Sequence, residues 1–261
     1  HLLAPKPAAL SFEAACTLPI TWSTVHAALS GAQLRRGQAA LVHAAAGGVG
    51  LVAVEYAHWL GATTVGTAGQ PHKHAQLRGV GIGGLCSSRN GAACAAGVMW
   101  LLKATRYHAA LNSLSGDLTA ASFALLAEAC SFMEIGKRGV WSQSRAGCNR
   151  AHAILLGVLA IDDELSTKPD WMQRQLAVLR TRSASGTVHS LPLTVFDAWR
   201  SHETAFRLLQ SGSNIGKVVL RISYMLKSHG RDAMVGSTQV ITGGTGGLGL
   251  LTARWLTQQG A

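Results

Sequence analysis

The sequence predicts an α/β protein built on a doubly wound parallel sheet, and three observations carry this. From residue 39 onward, short apolar or β-branched runs alternate with segments of helical periodicity. Two of those runs lead at once into a glycine-rich turn and a helix, at 43–50 and at 242–249. The composition is that of a core-forming chain, with 48% hydrophobic and 13% charged residues among 261, and 30 Gly against 6 Pro.

Residues 1–37 are Ala-rich and read as two short helical pieces broken by Pro5, Pro7 and Pro19. Ala39 to His43 is the first strand, and Val49 to Leu60 the helix after it, stopped by Gly61. Thr63 to Thr67 is β-branched and reads as a second strand, followed by a short helix over Lys73 to Arg78. The Gly/Ala-rich stretch from Gly79 to Gly97 gives no clear pattern. Tyr107 to Leu111 is a strand. Asp117 to Glu128 is a helix with Leu118, Ala121, Leu125 and Leu126 on one face. Phe132 to Ile135 is a strand that ends at Gly136 and Lys137. After an irregular segment, Ile154 to Ile161 is apolar and runs into Asp162 and Asp163. Helices are expected over Trp171 to Arg180 and Phe196 to Gln210, and a strand over Lys217 to Ile222. Residues 223–236 are polar and read as a linker; Gln239 to Thr242 then opens a second strand–glycine–helix unit.

Several function classes fall away on composition. The net charge of +11 suits a phosphorylated ligand or an acidic partner, but no dense Lys/Arg run with interleaved aromatics marks a nucleic-acid surface. Cys16, Cys86, Cys94, Cys130 and Cys148 contain no C-x-x-C pair, which argues against a disulfide framework and a structural zinc, and fits a reduced, cytoplasmic setting. No apolar run reaches the roughly 18 residues of a membrane span. The chain begins at His1, so it reads as a piece of something longer.

The turn Ala46-Gly47-Gly48-Val49-Gly50 sits where a dinucleotide loop must sit, between strand and helix. Glycine allows positive φ and a close backbone approach to a ligand, and the helix N-terminus offers free amides to a pyrophosphate. Gly50 would permit tight helix–strand packing. The spacing is G-G-x-G rather than G-x-G-x-x-G, and alone it also describes an ordinary βα turn. The second strand ends at Thr67, itself a candidate cofactor contact, without the carboxylate that would hold a ribose 2′-hydroxyl, while Lys73 and Arg89 follow. Two cations and no acid favour NADPH over NADH.

At this point the residues resemble a known family. Leu41–Gly50, Leu18–Thr21 with Thr24, Leu111–Gly116, Phe132–Arg138 and Ile215–Leu220 resemble, in order, five segments of enoyl reductase domains of polyketide and fatty-acid synthases. These belong to the zinc-independent medium-chain reductases. Ile241–Gly249 resembles the T-G-G-x-G-G-L-G loop that opens a ketoreductase domain, with Gly243, Gly246 and Gly249 as its cofactor-facing glycines. The resemblance implies a Rossmann sheet with remnants of a substrate domain, plus the first βα unit of a second Rossmann domain. Its boundaries are 1–222 for the enoyl reductase (cofactor core about 20–165, N-terminal substrate part truncated), 223–236 for the linker and 237–261 for the ketoreductase start.

The activity the resemblance implies is NADPH-dependent reduction of a 2-enoyl thioester on an acyl carrier protein, beside neighbouring synthase domains, with a homodimer through the synthase left open. No nucleic acid or membrane partner is expected. By resemblance Lys137 donates the proton, Asp162 at the end of a later strand pairs with it (Asp163 is the fallback), and Asn112, Ser113 and Gly136 flank the nicotinamide. Thr24 is a weaker candidate for the same end of the cofactor. The sequence also departs from the family. Arg106-Tyr107-His108 replaces G-V-D, Cys130-Ser131 replaces G-R, and 79–105 matches poorly. A stand-alone quinone or alkenal reductase and a catalytically silent remnant of a synthase are the rival readings.

Overall fold

A computed structural model describes residues 4–102, 106–142, 155–222 and 247–258. Two short helices, α1 (Phe12–Ala15) and α2 (Leu18–Gly31), precede the alternating core. That core runs β1 (Ala39–Val42), α3 (Gly48–Trp59), β2 (Thr63–Ala68), α4 (Pro71–Gly79), β3 (Gly84–Ser87), α5 (Gly91–Leu101), β4 (Tyr107–Asn112), α6 (Asp117–Leu125), β5 (Leu126–Glu134) and β6 (Leu155–Val158). Helices α7 (Ile161–Thr167) and α8 (Pro169–Ala184) follow, then β7 (Leu193–Asp197), α9 (His202–Ser211) and β8 (Lys217–Arg221). Helix α10 (Gly247–Gln258) lies within the expected second unit, whose strand at 239–242 and preceding linker at 223–236 are outside the described residues.

The main sheet is parallel throughout and ordered β3-β2-β1-β4-β5-β6. The order reverses between β1 and β4, the place where open α/β sheets open a crevice at their carboxyl edge. Val42 pairs with Leu111, Asn112 with Glu134, and Glu134 with Val158, so these strand ends lie level. β7 and β8 form a separate two-stranded parallel sheet.

Alternation along the strands feeds two cores. Ala40, Val42, Ala109, Leu111 and Met133 face α2 and α3, where Trp22, Val25, Leu29, Val52 and Tyr56 are buried. Leu41, Ala110 and Phe132 face α5 and α6. There the Phe123 ring stacks on Phe132 at 4.1 Å and on Trp141 at 5.1 Å. Among the described residues, no helix is long and apolar enough to cross a membrane.

Four element expectations need correcting. Pro19 does not break a helix but sits in the first turn of α2, where its missing N–H has no helical partner to lose. The featureless 79–97 stretch contains β3 and the start of α5, and Asn90 caps that helix by accepting the Ala93 N–H at 2.8 Å. The helix expected to reach Glu128 ends at Leu125, because Leu126 already begins β5. The helix expected from Phe196 begins only at His202. Phe196 and Asp197 close β7, and the Asp197 carboxylate accepts the Trp199 and Arg200 N–H groups at 2.9 and 3.0 Å, which turns the chain.

Candidate functional site

The glycine turn is locked from three sides. The Ala45 N–H donates to Thr67 O at 2.9 Å, the Gly47 N–H to Ala44 O at 2.9 Å, and the Gly216 N–H to Ala46 O at 2.8 Å. The last bond brings the start of β8 onto the loop. None of Gly47, Gly48 or Gly50 has a positive φ; the left-handed residue of the turn is Ala44, at +47°. The expectation that glycine supplies backbone freedom here is therefore corrected: the glycines supply space. A Cβ on Gly50 would stand 2.5 Å from Ala44 O and 2.6 Å from Ala45 Cα, and one on Gly48 would meet the Lys217 stem at 2.4 Å. Helix α3 thus starts tight against the strand end, and its N-cap, Gly47, has no side chain to accept the first-turn amides.

Behind the turn His43, which was expected to close the first strand, stands just past the end of β1, almost wholly buried, and burial pushes its pKa down to about 4. Its ring is therefore neutral. The Ser122 hydroxyl donates to Leu118 O at 2.7 Å, so it accepts the His43 Nε2–H at 2.6 Å. The Thr67 hydroxyl accepts the Ala44 N–H at 3.2 Å and donates to His43 Nδ1 at 3.1 Å. The side chain of Thr67 is spent on this scaffold, although the residue borders the crevice.

That crevice is a cavity of about 350 Å³ at the carboxyl ends of β1, β2 and β3. Ala46, Gly47, Thr67, Lys73, Arg89 and Asn214 are among its walls, and no carboxylate is. The Lys73 ammonium donates to Gly212 O at 2.6 Å, and partial burial pulls its pKa below the ordinary lysine value. Arg89, also in the lining, is exposed.

The other half of the edge lies past β4 and β5. Asn112 is fully buried, and its amide is spent internally. It donates to Leu114 O at 2.8 Å and Glu134 Oε2 at 2.6 Å, and it accepts from the Leu114 N–H at 3.3 Å. Ser113 projects outward, exposed. The Gly136 N–H donates to Glu134 Oε1 at 2.6 Å, and the next residue, Lys137, reaches Asp162 Oδ2 at 2.6 Å. Both members of the ion pair are largely exposed, at 73% and 61% of the side chain. The Lys137 hydrogen bond holds the Asp162 carboxyl below the usual aspartate range. Asp162 stands in the first turn of α7 rather than at a strand end. Thr24 is buried, and its hydroxyl donates to Ile20 O at 2.7 Å within its own helix. Gly243 and Gly246 are outside the described residues; Gly249 falls in α10. Sequence reading passed over Glu134. Its signal was a carboxylate embedded in the apolar run Phe132-Met133-Glu134-Ile135, directly before a glycine.

The zinc-binding dehydrogenase family profile matches residues 88–220. A phenolphthiocerol/phthiocerol polyketide synthase of Mycobacterium tuberculosis is 30% identical over 273 residues, covering all of this chain and 12% of the synthase. The chain therefore spans a small part of that relative. Among solved structures, the CurK enoyl reductase is 30% identical with a TM-score of 0.76, over 84% of this chain and 65% of that one. The nucleotide-binding subdomain of the enoylreductase domain of PpsC, also from M. tuberculosis, is 27% identical with a TM-score of 0.61, over 67% of this chain and 98% of that one. Among the described residues, no group of three His, Cys, Asp or Glu side chains could hold a metal ion.

Proposed function

Because the chain belongs to the zinc-binding dehydrogenase family, on its branch of polyketide synthase enoyl reductase domains, we propose that it is the segment of a multidomain synthase that reduces a 2-enoyl thioester carried by an acyl carrier protein, with NADPH as cofactor. In this reading residues 1–222 form the reductase, 223–236 a linker and 237–261 the start of a ketoreductase. The residues present fit a dinucleotide phosphate. A crevice with two cations and no carboxylate adjoins a helix N-terminus whose first-turn amides have no side-chain cap. When bound there, the cofactor supplies hydride for the β-carbon of the alkene.

The chain's own residues bind, orient and deliver the proton. The amides of the first turn of α3 would hold the pyrophosphate. Lys73, which now donates to the Gly212 carbonyl, and Arg89, which lines the same cavity, would meet the 2′-phosphate. Ser113 borders the nicotinamide end. The Lys137 ammonium gives its proton to the α-carbon, completing addition of hydride and proton across the double bond, and Asp162 keeps that ammonium oriented.

The observation that carries this reading is the 2.6 Å Lys137–Asp162 pair, formed between residues 25 apart at the same sheet edge as the glycine turn. Regular structure, β3 and α5, forms over the stretch where the match to the family is poor. In the intact synthase, Lys137→Ala with Asp162→Ala should slow enoyl reduction by about 100-fold, measured as NADPH oxidation with an enoyl thioester. An unchanged rate removes both residues from the mechanism.

A further inference from the structure

Resting on that reading of Lys137, we propose that Glu134 is a positioning residue of the site, one that aims Lys137 by tying together the two loops at the nicotinamide end of the sheet. Glu134 is 2% exposed. Among the described residues, no Lys, Arg or His forms an ion pair with it, so nothing in the packing of the strand calls for a charge there. A buried carboxylate without a cation is costly unless its oxygens are filled. Here both oxygens are filled, one from the end of β4 and the other from the loop after β5. Oε2 accepts the Asn112 amide at 2.6 Å, and Oε1 accepts the Gly136 N–H at 2.6 Å. Burial pushes the Glu134 carboxyl up, and these donors oppose it.

The consequence is geometric. Asn112, held by Glu134, closes the turn to Leu114 with bonds of 2.8 and 3.3 Å, and that turn points Ser113 outward. Gly136 packs between the Glu134 carboxylate and Ser113, since a Cβ there would stand 2.8 Å from Oε1 and 3.5 Å from the Ser113 backbone. The residue after Gly136 is Lys137. One carboxylate therefore sets the exit path of the chain that carries the proton donor, and at the same time sets the loop that borders the nicotinamide. Asn112 contributes through the same carboxylate, not by offering its amide to a ligand.

The test compares Glu134→Gln, Lys137→Ala and the double variant in the intact synthase. Glutamine keeps the shape but has one acceptor oxygen, so it cannot accept the Asn112 amide and the Gly136 N–H together. The expected result for Glu134→Gln is a kcat lower by about tenfold, with the KM for NADPH within about twofold. Added to Lys137→Ala it should cost nothing more, because both act through one ammonium. A full-rate Glu134→Gln beside a slow Lys137→Ala overturns the role of Glu134 alone, as do losses that simply multiply. A full-rate Lys137→Ala overturns the parent reading and this one together. Should Glu134→Gln fail to fold, hydrogen exchange on the unmodified chain decides. The Gly136 amide should exchange as slowly as the interior of β5, and exchange at an open-loop rate overturns the proposal.

Discussion

The two halves of the carboxyl edge are built by different means. At β1, β2 and β3 the site is made of backbone and space. The turn is fixed by main-chain bonds over a buried His43–Thr67 scaffold, its glycines clear room for the helix, and Lys73 and Arg89 are the cations in the cavity wall. At β4, β5 and β6 the site is made of side chains, with an exposed ammonium and carboxylate standing on a buried Asn112–Glu134 pair. The first half resists solvent and substitution by packing. The second depends on a few hydrogen bonds and is open on its outer side. Binding and proton delivery should therefore be separable by mutation.

The largest expected effect concerns the buried half under acid. An unfolded histidine takes up a proton near its ordinary pKa of 6.5, whereas His43 in the fold does so only near 4. Its contribution is fully present above pH 6.5 and is lost as pH falls towards 4, where the loss amounts to about 3 kcal/mol. Urea unfolding at pH 7 and pH 4 should show this loss in the wild type and much less of it in His43→Asn. Equal losses would mean that His43 is not held neutral.

Next in size is Gly50→Ala. The added methyl meets main-chain atoms that cannot swing aside, so a cost of about 2 kcal/mol or more is expected in a denaturant midpoint. NADPH binding should go with it. A variant that folds and binds normally would show that α3 does not start tight on β1. The smallest effect has the opposite sign. Ala44 holds a left-handed φ of +47°, so Ala44→Gly should relieve strain and stabilise the chain by about 1 kcal/mol, read as a higher melting temperature. A lower one would mean that the lost methyl matters more than the strain.

The same division explains what the sequence made legible. The doubly wound sheet could be read because it rests on alternation and on glycine spacing, both local patterns. The crevice followed from Lys73 and Arg89 with no acid after Thr67, and the structure brings those residues around one cavity. Lys137 and Asp162 were paired through resemblance, since no local pattern links residues 25 apart, and the structure joins them at 2.6 Å. Thr67, Thr24 and Asn112 were read as ligand-facing, but their polar atoms are spent on the scaffold, which only tertiary packing reveals. Glu134 was missed because period-2 reading treats a carboxylate in an apolar run as an interruption. The end of β7 was read as helix because the turn bonds of Asp197 were not weighed.

The central claim is that the glycine turn and its two cations hold a dinucleotide that carries a 2′-phosphate. Fluorescence titration of this chain with NADPH and with NADH, repeated on Lys73→Ala/Arg89→Ala, tests it most directly. The expected result is NADPH bound at least about tenfold more tightly than NADH in the wild type, with the preference erased in the double variant. Equal affinity for the two cofactors, or a preference that survives loss of both cations, would contradict it.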